Sequence, residues 1–179
     1  MKNSFVIHCL LTVLFIICAT TGNAENINSE ILGEQYVEKN AGFSIYIPRG
    51  WELIDFNQKY LIARGPAVNN YSPNITFGDD QYSGPISDYI SAVLSYVSQI
   101  YTDFEILQKG NSTTNSGLQG EYVTFHGRLN EITVRQRLYV IPNSDRTVIM
   151  AITGTAGIVH GNIYDSLFDE CVKTFDWTK

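Results

Sequence analysis

Arg135 and Arg137 stand two residues apart in the apolar run from Ile132 to Ile141. Side chains at i and i+2 share one face of a strand. Two guanidinium groups placed so would grip a carboxylate or phosphate. The plainer reading is an exposed strand face balanced by acids such as Glu121. Asp79 and Asp80, with Tyr82 nearby and Glu52 and Asp55 elsewhere, offer oxygens to a hard cation. Their loop lacks the alternating oxygen ligands of a calcium motif, which favours a solvated acidic loop. Asp79 and Asp80 are therefore the only metal candidates, and weak ones. Aromatic side chains at a cleft serve recognition. Tyr71, Tyr82, Tyr89, Tyr96 and Tyr101 gather around the middle of the chain, and Trp51 stands alone upstream. A binding site is thus expected from Trp51, Tyr71, Tyr82, Arg135 and Arg137, and no catalytic residue is expected.

Catalytic constellations are thin. Past the first 24 residues the histidines are His126 and His160, one beside Gly127 and one near the start of the last helical pattern. Each reads as a turn or cap residue. No Cys/His spacing suits zinc, and there is no phosphate-binding loop or nucleophile elbow. Cys171 falls on the apolar face of the last helix and reads as a buried structural thiol. No cofactor is expected.

Residues 1–24 read as an export leader. Lys2 gives a basic start, Phe5 to Ala19 is an apolar run broken by His8 and Thr12, and Gly22-Asn23-Ala24 puts small residues where a signal peptidase reads them. A spanning helix needs about 20 apolar residues, and this run falls short. Lipid attachment at Cys18 is the rival, but the residue before it, Ile17, is bulky. Cleavage after Ala24 predicts a periplasmic or extracellular protein with no membrane span. With Lys2 gone, eleven basic residues face eighteen acidic ones, a net charge of −7. That balance argues against nucleic acid and anionic membranes as partners. Cys9 and Cys18 leave with the leader, so Cys171 has no partner for an internal disulfide. Asn70, Asn74 and Asn111 open glycosylation sequons, which matter only in a host that glycosylates its exported proteins.

What must position these residues is one domain. Residues 25–41 are a polar lead-in with a short strand near Tyr36, and 42–179 form the domain. Phe43, Ile45 and Ile47 alternate as a strand, Pro48-Arg49-Gly50 turns, and Trp51, Leu53 and Ile54 begin a second. A third strand is expected over Tyr60 to Ala63, a loop over Gly65 to Pro73, and a short strand over Asn74 to Gly78. Gly84-Pro85 opens a long central helix carrying Ile86, Ile90, Val93, Leu94, Val97, Ile100 and Tyr101 on one stripe. Strands follow over Phe104 to Gln108, Leu118 to His126, Ile132 to Ile141 and Thr147 to Thr153, with a polar loop over Gly110 to Gly117. The last is apolar on both faces, as a central strand should be. A closing helix carries Ile163, Leu167, Phe168, Cys171, Val172 and Phe175. Strands joined by short turns and covered by helices define an α+β domain with a layered antiparallel sheet.

The segment Gly42-Phe43-Ser44-Ile45-Tyr46-Ile47-Pro48-Arg49-Gly50-Trp51 resembles the opening strand, turn and tryptophan of the PsbP-like superfamily. That superfamily includes photosystem II PsbP, the Mog family of Ran-binding proteins, DcrB, LpqN lipoproteins and certain secretion-effector chaperones. Ile149-Met150-Ala151-Ile152-Thr153 and Val172-Lys173-Thr174-Phe175 resemble its late strand and closing helix. The resemblance runs from Gly42 to Trp177 and implies an α/β/α-layered, non-catalytic binding or assembly module. It places no metal-binding or partner-binding residue of those proteins on this chain. The protein is expected to recognise a protein partner or envelope component. The alternative is a carrier of a lipid or metabolite, with its pocket between the long helix and the sheet near Trp51 and Tyr71.

Overall fold

The computed structural model describes residues 31–56, 60–69 and 71–178. The expected leader, Cys18 and the Asn70 sequon lie outside them. Strands β1 (Leu32–Glu38), β2 (Phe43–Pro48), β3 (Glu52–Phe56), β4 (Tyr60–Arg64) and β5 (Asn74–Gln81) lead to helix α1 (Ile86–Ile100). Strands β6 (Thr102–Thr113), β7 (Gln119–Leu129), β8 (Ile132–Pro142) and β9 (Val148–Gly157) follow. A 3-10 turn (Ile158–His160), helix α2 (Gly161–Lys173) and the short β10 (Asp176–Trp177) end the fold.

Seven strands make one antiparallel sheet in the order β3-β4-β5-β9-β8-β7-β6, and β1-β2-β10 make a second. β9 is the middle strand of seven, which accounts for its apolar residues on both faces. On one face lies α1, whose Ile90, Val93, Leu94 and Val97 pack on Val123, Phe125, Leu138, Val140 and Ile149. The other face carries α2 and the small sheet, with Phe43, Ile45, Phe77, Ile141, Met150, Phe168 and Phe175 between the layers. Each such side chain, fully buried, contributes roughly 1.5–3 kcal/mol.

Two glycines let the layers approach. A side chain at Gly154 would land inside the Phe168 ring of α2, and one at Gly127 would meet the Tyr101 side chain at 2.7 Å. Gly42 and Gly50 sit at φ 73° and 75°, the left-handed region that glycine enters without steric cost. They form the two ends of the β2 strand-and-turn motif.

The structure corrects several expectations. The helix after Pro85 has 15 residues and lies on one face of the sheet, so it is not a long central helix. β6 runs through Thr113, taking up residues 110–113 that read as polar loop. Those four residues lie on an edge strand, where they have no buried face to fill. β5 reaches Gln81. The strand expected near Tyr36 is present as β1, which pairs with β2 in the small sheet. Ile163 is 52% exposed rather than part of the buried stripe, because α2 first meets the sheet a turn later.

Candidate functional site

The residues expected to form one site lie in three places. β8 sends Val134, Gln136, Leu138 and Val140 toward α1, and Arg135, Arg137, Tyr139 and Ile141 toward α2. On α2, Asp165 and Asp169 stand four apart on the border of its apolar stripe. Two residues of strand advance about 6.8 Å and four residues of helix about 6 Å. The repeats therefore match, and each arginine meets its own aspartate. Arg135 makes a two-pronged pair with Asp165, at 3.0 Å from Nε and 2.5 Å from Nη2 to Oδ2. Arg137 donates from Nη2 to Asp169 Oδ2 at 3.1 Å and from Nη1 to Thr124 Oγ1 at 3.3 Å. Its guanidinium lies 3.9 Å from the centre of the Tyr122 ring. Tyr139 donates its hydroxyl to Asp169 Oδ1 at 2.6 Å, and burial pushes its ionisation far above the ordinary tyrosine range.

In this arrangement the carboxylates that the two arginines hold are the chain's own. Both guanidiniums are half-buried or buried and each faces a carboxylate from its own chain. The pair is not an exposed strand face balanced by Glu121; the balancing acids come from α2. Asp165 and Asp169 were legible as Asp-x-x-x-Asp beside an apolar stripe, but nothing in one sequence ties them to β8.

Tyr71 and Tyr82 lie on the α1 side. Tyr71 is half-buried, accepts a long hydrogen bond from Asn74 Nδ2 at 3.4 Å, and burial raises its ionisation. Tyr82 meets the Tyr89 ring edge-on at 5.3 Å and donates to Pro85 O at 3.1 Å, holding the entry to α1. Beneath α1, Tyr101 donates to Gln136 Oε1 and Gln136 Nε2 to Thr155 Oγ1, both at 3.1 Å, and all three residues are buried. The α1–sheet interface is filled with side chains, and Trp51 is on the other side of the sheet from Tyr71. Trp51 and Tyr71, expected to border one carrier pocket between helix and sheet, therefore do not face each other.

Asp80 accepts from the Tyr89 hydroxyl at 2.6 Å, and Asp79 beside it is exposed. Among the described residues no three His, Cys, Asp or Glu side chains gather as a metal site would need. His126 Nε2 lies 3.4 Å from Glu105 Oε2, and His160 Nε2 lies 2.9 Å from Asn69 Nδ2. Cys171 is fully buried, and desolvation pushes its thiol up to about 12. No helix among the described residues is long and apolar enough to cross a membrane.

Trp51 borders a groove. Its backbone N–H closes the turn onto Pro48 O at 3.1 Å. One edge of the indole packs on Gly65, where a Cβ would meet it at 2.7 Å, and the ring lies 6.4 Å from both Tyr164 and Phe168. Beside it opens a groove of about 710 Å³, lined by residues 33–36, 47–51 and 53. Leu53 in its wall is 40% exposed. The groove suits a ligand that presents both apolar groups and hydrogen-bonding backbone.

The fold is similar to that of PsbP and of Mog1p. Solved structures with this fold share it at low identity. Cyanobacterial PsbP from Synechocystis matches with a TM-score of 0.63 at 14% identity, over 87% of this chain and 98% of its own. The Ran-binding protein Mog1p of Saccharomyces cerevisiae matches with a TM-score of 0.60 at 10% identity, over 82% and 95%. LpqN, involved in cell envelope biogenesis of Mycobacterium tuberculosis, matches with a TM-score of 0.59 at 14% identity, over 82% and 90%. No family model and no curated protein sequence matches the chain.

Proposed function

We propose that this chain is an exported, non-enzymatic binding or assembly module that recognises a protein partner at the Trp51 groove. One observation carries the reading. The side chains with chemistry to offer, Arg135, Arg137, Asp165, Asp169, Asp80 and Cys171, are engaged with one another or buried, whereas the groove beside Trp51 is open. The fold it shares with a Ran-binding protein supports a role in recognition, although fold by itself does not fix function. The leader-like residues 1–24 support export.

The test is a photo-crosslinking amino acid placed at Leu53 in the native host, with the same group at Ser91, on the exposed face of α1, as control. Crosslinking at Leu53 to one protein that co-elutes with the purified chain at a fixed ratio is the expected result. Equal labelling from both positions, or turnover of a substrate by the purified chain, overturns the reading.

A further inference from the structure

We draw no further inference here: the strongest candidate, the exposed apolar patch of Ile158, Val159 and Ile163 where β9 passes through the 3-10 turn into α2, carries nothing because nothing in the structure shows what covers it.

Discussion

Tyr139 of β8 and Asp169 of α2 are joined by a 2.6 Å hydrogen bond from hydroxyl to carboxylate, alongside the Arg137 pair on the same carboxylate. That carboxylate answers a cation and a buried phenol together, so it fixes how α2 sits on the sheet. Asp169→Ala leaves the Tyr139 hydroxyl without its acceptor and takes from Arg137 its nearest carboxylate, while Thr124 Oγ1 and Asp165 stay within its reach. Removing one partner of a buried pair costs about 3–5 kcal/mol. Asp169 keeps a third of its side chain in solvent, so a smaller loss of about 2 kcal/mol is expected from screening. Urea unfolding of Asp169→Ala, Arg137→Met and the double variant measures it. The double variant should be more stable than the sum of the single losses predicts; simple additivity would mean the two do not act as a pair.

Gly154 argues a steric counterpart of that electrostatic docking. It lies on β9 under the Phe168 ring, with no room for a methyl group. Gly154→Ala forces the ring or the helix to shift, a cost of roughly 1–3 kcal/mol. Phe168→Leu alone leaves a void and destabilises as well. Combined, the two should recover part of the loss, visible as a melting temperature above that of Gly154→Ala. No recovery would place the clash elsewhere.

These two contacts also show what the sequence could and could not reveal. Strand type, order and the β2 motif were legible because alternation, turns and glycine positions are local signals. The alternation of β8 put Arg135 and Arg137 on one face, where they are, but read that face as exposed. What lay across each face was not legible, because Asp165 and Asp169 are some thirty residues away and the match of strand and helix repeats appears only after docking. Trp51, Tyr71 and Tyr82 looked alike as aromatics in sequence; the sheet between them sends them to different surfaces. The exposed edge strand β6 read partly as loop for the same reason that it is an edge: it has little apolar surface to bury.

Trp51 supports the groove from within, through its contacts with Gly65, Tyr164 and Phe168. Trp51→Ala removes a large half-buried ring and should cost about 3 kcal/mol. Leu53, 40% exposed in the groove wall, should tolerate Asp within about 0.5 kcal/mol, as surface positions do. Parallel thermal melts test the contrast. A large loss from Leu53→Asp would make that residue part of the core and remove it as a neutral probe of binding.

High pH should find the buried protons. Burial raises the Tyr101 hydroxyl to about 12 and the Cys171 thiol to about 12, above their ordinary values. A group whose ionisation is raised by folding keeps its proton in the native state after the unfolded chain has lost it. In that window the unfolded chain binds fewer protons, so stability falls as pH rises. The contribution is complete below the ordinary thiol and tyrosine range, and it declines progressively toward about 12. Denaturant midpoints measured from neutral pH upward should fall beyond the ordinary thiol range. Tyr101→Phe should flatten part of that fall, while losing stability at neutral pH through the orphaned Gln136 amide. At pH 8 a thiol reagent should label Cys171 only on unfolding, and prompt labelling of the native protein would show that α2 opens readily.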